Sequence, residues 1–254
     1  MILICKILII LTFSLSVISR EVGETEITTE DGIEVFQNEK YYLLKKNVII
    51  KSDNFSLNAD LVKINFNKNL YDIVELNAEG GVDFNSHKLN LSGFGETLKF
   101  EVLIEKLKVK GNNSKLVTED IEMYSDGFID VNNQNGKFFL KGKNSKLNSE
   151  NIFIKADKIN GIFSNETNKQ IITFLDVSDN EISYVKNNDT EMYAKEIKFN
   201  SDTSIIELFN NVTIIRNEER ITGDYGTLDT KNNSYKIKSN HQNNVKVIIK
   251  NNEQ

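Results

Sequence analysis

Alternation with a period of two is the feature that most limits what this chain can become. Apolar and polar residues take turns through Val48/Ile50, Val82/Phe84, Leu89/Leu91, Leu98/Phe100, Ile152/Ile154, Ile182/Tyr184, Ile197/Phe199, Val212/Ile214, Tyr235/Ile237 and Val245/Val247/Ile249. Successive side chains of a strand point to opposite faces, so each segment has one apolar and one wetted side. Such segments read as half-buried antiparallel strands. No stretch carries a helical period. The chain contains no proline, so no strand is interrupted by a residue lacking a ladder donor. The predicted fold class is all-β.

Turn signals separate these segments. Lys51-Ser52-Asp53-Asn54, Asn67-Lys68-Asn69, Gly111-Asn112-Asn113, Asn132-Asn133-Gln134-Asn135-Gly136, Asn187-Asn188-Asp189 and Lys231-Asn232-Asn233 are rich in residues that tolerate positive φ or bond locally. The chain therefore reads as a continuous meander of hairpins. A repeat underlies it. Asn or Gly precedes a Val strand at Asn47-Val48, Gly81-Val82 and Asn211-Val212. The following strand carries a small residue, often with Asp behind it: Ala59-Asp60-Leu61, Gly93-Phe94-Gly95, Ala156-Asp157, Ala194-Lys195 and Gly223-Asp224. Val48 to Val82 and Ala59 to Gly93 are both 34 positions, so two markers move in step. Asp60, Asp157 and Asp224 are expected to cap turns.

Residues 1–19 resemble a targeting segment and stand outside the fold reasoning. Lys6 precedes an apolar run, Ile7 to Ile18, shorter than the roughly 20 residues that cross a bilayer. Val17-Ile18-Ser19 offers a cleavage site, so the mature chain is expected to begin at Arg20 in an exported, periplasmic protein. The single cysteine, Cys5, lies in that segment. Residues 20–254 are expected to form one β domain, with two tandem halves, about 27–145 and 146–250, as an option. A net charge of -6 argues against a nucleic-acid partner, which requires basic surface.

Several segments taken together resemble the OstA-like/LptA family of lipopolysaccharide transport proteins. They are Asp31-Gly32-Ile33-Glu34-Val35-Phe36, Asn47-Val48-Ile49-Ile50, Leu57-Asn58-Ala59-Asp60, Ala78-Glu79-Gly80-Gly81-Val82 and Ile221 to Asp229 with Asn232-Asn233-Ser234-Tyr235. The resemblance spans most of 27–239, is strongest at both ends and degenerates over about 115–146. It implies an open twisted β-jellyroll built from repeated antiparallel hairpins, whose two sheets hold lipid A acyl chains between them. It further implies edge-strand contacts with LptC-like inner-membrane and LptD-like outer-membrane partners, and a head-to-tail homo-oligomer. Alternation sets Val48, Ile50, Leu57, Val82, Phe84, Leu98 and Phe100 on one face, with Ile49, Asp83 and Lys99 on the other. The resemblance adds Ile27 to this lipid-binding set.

Inventory argues against an enzyme. His87 and His241 are the only histidines, neither in metal-ligand spacing, and no nucleophile elbow, P-loop or dinucleotide fingerprint occurs. No cofactor, metal or catalytic residue is expected. Two other readings stay open: a membrane-tethered LptC-like component, and a structural β-solenoid with no ligand.

Overall fold

The computed structural model describes residues 21–150, 152–164, 169–217, 219–240 and 244–249. The expected targeting segment 1–19, Cys5 and His241 lie outside the described residues. The first strands are β1 (Glu26–Thr28), β2 (Ile33–Phe36), β3 (Tyr41–Lys51), β4 (Phe55–Phe66), β5 (Ile73–Ser86) and β6 (Leu91–Glu101), followed by a 3-10 turn (Val102–Ile104). Next come β7 (Lys106–Lys110), β8 (Ser114–Val117), β9 (Ile121–Ser125), β10 (Phe128–Asn132), β11 (Lys137–Ser149) and β12 (Ile152–Ser164). The remainder are β13 (Ile171–Asn187), β14 (Thr190–Asn200), β15 (Ile205–Arg216), β16 (Glu219–Asp229), β17 (Ser234–Lys238) and β18 (Lys246–Ile249).

All pairings among the described strands are antiparallel, most of them between neighbours in the chain, with β1–β3, β6–β8, β7–β10, β9–β11 and β16–β18 skipping a short strand or more, and each long pair has a register shift near its middle. The shifts fall between Lys45 and Val48, Glu79 and Val82, Lys141 and Ser145, Ser178 and Ser183, and Phe209 and Val212. There each strand bends from one sheet into a second. Ten strands, β3–β6 and β11–β16, run through the bend. Four pairs of short strands, β1/β2, β7/β8, β9/β10 and β17/β18, divide the same course between two separate strands, one in each leaf. Fourteen bent strands thus fold about one line into two facing leaves. Leaf A begins with β2 and the first half of β3, leaf B with β1 and the second half of β3. The all-β expectation is borne out, and the hairpin-built jellyroll takes this bent form.

The repeat marks the bend itself. Val48 pairs with Ala59, Val82 with Gly95, Ser145 with Ala156, Ser183 with Ala194 and Val212 with Gly223. Three of the strands passing from leaf A to leaf B turn through residues of positive φ: Lys46 and Asn47 at 63° and 49°, Gly80 and Gly81 at 81° and 61°, Asn210 and Asn211 at 63° and 57°; β11 and β13 turn without any. Left-handed backbone costs an ordinary L-residue about 1–2 kcal/mol, which is why Asn and Gly recur there. The returning strands cross on a single residue such as Asp60, Asp157 or Asp224, preceded by a small side chain because the leaves converge. A Cβ on Gly223 would lie 2.5 Å from Ile237. Two of the three aspartates cap as expected: Asp157 Oδ2 accepts from Asn180 N at 3.1 Å and from its Nδ2 at 2.6 Å, and Asp224 Oδ2 accepts from Asn240 N at 2.9 Å.

Three sequence assignments need correction. Gly111-Asn112-Asn113 is a bend between β7 and β8, not a hairpin turn, and wide bends here and at 142–144 blur the repeat over 115–146. The small residue equivalent to Ala59 is Gly95 rather than Gly93, since Gly95 is the partner of Val82. On β13 the inward residues are Ser183 and Val185, 0% and 3% exposed, whereas Ile182 is 39% exposed. The extra residues at that bend shift the alternation, so the Ile182/Tyr184 pair faces outward.

Replacing Asn211 with valine places a β-branched side chain at φ 57°, and should lower stability by about 1–2 kcal/mol. Asn211→Gly should leave it nearly unchanged. Urea unfolding followed by circular dichroism reads both.

Candidate functional site: the apolar interior

The two leaves meet through their inward faces, which form one hydrophobic cluster. Among the described residues the buried polar side chains are Ser86, Ser114, Thr118, Ser125, Ser145, Ser183 and Thr190, none of them charged. Burial pushes the Tyr42 hydroxyl above the usual tyrosine range, so it stays neutral at physiological pH. Among the described residues the interior is therefore uncharged and mainly apolar, with a few hydroxyls.

All eight residues expected to touch lipid lie on this inward face. Val48, Ile50, Leu57, Val82, Phe84 and Leu98 are buried, between 0% and 4% exposed, while Ile27 and Phe100 are partly buried and pack on the core. Ile49, Asp83 and Lys99 are exposed on the opposite face, as alternation requires. On that outer face Lys99 Nζ lies 2.8 Å from Glu75 Oε2, and this contact holds the Glu75 carboxyl below its usual range.

The interior is packed rather than hollow. Phe84 fills the space above Gly93, where a Cβ would come within 3.1 Å of its ring, and Phe138 does the same above Gly161 at 2.4 Å. Phe138 and Phe163 stack with centroids 6.1 Å apart. Between the leaves a cavity of about 70 Å³ is lined by Ile152, Leu175, Val177, Val185, Asn187, Ile197, Phe199, Ile206 and Thr230. That is room for about two waters, so a lipid with several chains fits only if the leaves part.

Opposite the bend line, turns of the two leaves face each other across a mouth, and a few contacts bridge it. Gln170 N donates to Asp120 Oδ2 at 2.6 Å and Lys169 Nζ lies 2.9 Å from Glu150. Thr118 also bonds to Gln170. Further along, Arg216 Nη1 donates to Asn233 O at 3.2 Å, and the Tyr235 hydroxyl donates to Glu219 Oε2 at 3.0 Å. Glu150 holds the Lys169 ammonium above the usual lysine range. Both side chains are more than half exposed, so solvent screens the pair and it adds little to holding the mouth closed. Sequence reading missed these bridges, because they join turns far apart in the chain and carry no local pattern. It also left the inward faces of β11–β16 out of the lipid-binding set, although alternation there gives the same signal.

Among the described residues no group of three or more His, Cys, Asp or Glu could hold a metal ion. No helix there is long and apolar enough to cross a membrane. His87 is an exposed turn residue whose N–H donates to Asn54 O at 2.9 Å.

Residues 125–234 match the family described as LptA/(LptD N-terminal domain) LPS transport protein. The resemblance read from the sequence is thereby borne out, over the second half rather than at both ends, since the motifs at 31–60 and 78–82 fall outside the match. The matched family is one of transport proteins, not of enzymes. No curated protein matches the chain. Among solved structures it is similar to the crystal structure of LptH from Pseudomonas aeruginosa, the LptA homologous periplasmic component of the conserved lipopolysaccharide transport device. Identity is 8%, 90% of this chain and 96% of that chain are covered, and the TM-score is 0.24. At that score the likeness carries no argument.

Packing density along the interior is uneven, which can be measured. Phe84→Ala, deep in the core, should cost about 3–5 kcal/mol. Phe100→Ser, nearer the mouth and partly exposed, should cost distinctly less, on the order of 1 kcal/mol. Equal losses in urea titrations would contradict the placement of Phe100.

Proposed function

We propose that this chain, whose residues 125–234 carry the LptA/LptD N-terminal domain of the lipopolysaccharide transport family, is a periplasmic carrier that moves lipopolysaccharide between the two membranes. Acyl chains would lie between the leaves against Val48, Ile50, Leu57, Val82, Phe84, Leu98 and Phe100, with Ile27 at the edge. The observation that carries the reading is an interior with no buried charge among the described residues, enclosed by leaves whose backbone is continuous along one line and that are held at the mouth by a few polar contacts, part-buried or exposed. Acyl chains that replace core contacts leave the apolar surface covered, and each methylene withdrawn from water contributes about 0.8 kcal/mol. Parting the leaves around lipid is therefore close to balanced, whereas parting them in water is not.

The end strands fit a bridge. Among the described residues β1 and β2 pair only with β3, and β17 and β18 only with β16, so each end presents a backbone edge with no described partner strand. Ile33, Val35, Val247 and Ile249 beside these edges are 45–60% exposed. Open edges favour strand addition, here to another copy or to LptC-like and LptD-like partners. Cleavage before Arg20 would free the domain into the periplasm, while retention of residues 1–19 would make it the tethered, LptC-like component.

The packed interior also favours a second reading, a structural β-scaffold with a closed core. A photo-crosslinking residue separates the two. At Leu98 or Phe100 it should capture lipopolysaccharide in cells, and at Lys99 it should not. Absence of adduct from every inward position, with the protein folded, would support the scaffold.

A further inference from the structure

Two neighbouring turns of the leaf A rim differ from the other described turns around the mouth. Leu70 and Tyr71, between β4 and β5, and Leu103 and Ile104, between β6 and β7, are exposed, Tyr71 at 92% and Leu103 at 73%. The described turns at 37–40, 52–54, 118–120, 133–136, 188–189, 201–204 and 230–233 hold no large apolar residue, and Leu89 in 87–90 packs on the core. Because β5 pairs with both β4 and β6 and packs against the 3-10 turn, the four side chains stand on adjacent turns.

Their exposure is built in. Asn69 Oδ1 accepts from Tyr71 N at 3.0 Å and from Asp72 N at 3.1 Å, fixing the first turn. Gln134 Nε2 donates to Leu103 O at 3.0 Å and Asn133 N to Glu105 O at 3.0 Å, fixing the second. Both turns leave strands whose last aromatic, Phe66 or Phe100, belongs to or packs on the core, so the apolar surface runs from the rim inward. Between described residues, no side-chain hydrogen bond or ion pair joins the two rims along β2–β6. The bridges lie at 118–120, 150, 169–170 and beyond. An apolar patch on structured turns marks an interaction site. Its position at the unbridged part of an uncharged interior selects an apolar chain as the occupant.

We infer that the turns carrying Leu70, Tyr71, Leu103 and Ile104 are where the acyl chains of a lipid pass from outside into the space between the leaves. The inference rests on the carrier reading and adds the site of admission and its direction, through the part of the mouth formed by β4–β7.

The test uses the mature protein and a dansyl-labelled fatty acid whose emission rises on transfer to an apolar site, with uptake followed by stopped flow. Leu103→Asp with Ile104→Asp, and separately Leu70→Ser with Tyr71→Ser, should slow uptake on the order of tenfold, with the amount bound at equilibrium and the melting temperature unchanged. Ile182→Asp, exposed at the bend, should have no effect. Uptake at the wild-type rate in both rim variants would overturn the inference and leave the carrier reading standing. No uptake by the wild-type protein would overturn both. Loss of flotation with phosphatidylglycerol vesicles, without slower uptake of the free fatty acid, would show the patch to be a membrane dock and would also overturn it.

Discussion

Everything in this fold depends on keeping one face of each strand dry through a bend. Side chains alternate with strict period two, so a strand that turns from one leaf into the other must spend the right number of residues at the corner or put its apolar side into water. The returning strands spend three positions between inward residues: Ala59 to Val62, Ala156 to Ile159, Ala194 to Ile197. Their partners spend four or more: Leu44 to Val48, Ala78 to Val82, Leu208 to Val212, and six from Val177 to Ser183. This unequal count is a β-bulge repeated along the molecule, and a bulge both bends a strand and raises its local twist. At β3, β5 and β15 the longer corner is made by two consecutive left-handed residues, Lys46-Asn47, Gly80-Gly81 and Asn210-Asn211; at β13 it is made by extra residues instead.

Such a corner has a mechanical consequence. The leaves are joined by continuous backbone along one line, and among the described residues a handful of polar contacts, part-buried or exposed, tie them at the mouth. What keeps them together elsewhere is apolar burial, which is non-directional and indifferent to whether the covering surface is protein or lipid. A core made this way can be a stable interior when empty and a lining when filled. The family match over 125–234 and the absence of buried charge among the described residues belong to the same picture. A single buried carboxylate would be expensive in contact with acyl chains.

Most of the architecture was legible because alternation is a local property. The face carrying Val48, Ile50, Leu57, Val82, Phe84, Leu98 and Phe100 could be assigned from the sequence, and so could the outward direction of Lys99. The repeat of Asn-Val and Ala-Asp was legible as a pattern, but its meaning was not. Only the register shows that Val48 faces Ala59 across the corner. Alternation misled at Ile182/Tyr184, because the number of corner residues at 179–182 cannot be read from composition. It misled again at Val245/Val247/Ile249, where a regular pattern sits on an edge strand that nothing covers. The rim turns were not singled out from the sequence, because nothing local in it distinguishes Leu70 and Leu103 as unburied; the turn geometry does.

The central claim is that the leaves part to hold lipid between them. It is tested most directly by the distance across the mouth. Spin labels on cysteines placed at Asn69 in the leaf A rim and Lys88 in the leaf B rim, both exposed turn positions, would report it by pulsed electron resonance. The account predicts a single short distance in the lipid-free protein and a distinctly longer one after loading with lipopolysaccharide, while a label pair flanking the bend, at Lys143 and Lys195, stays fixed. An unchanged mouth distance in protein that carries bound lipopolysaccharide would contradict it.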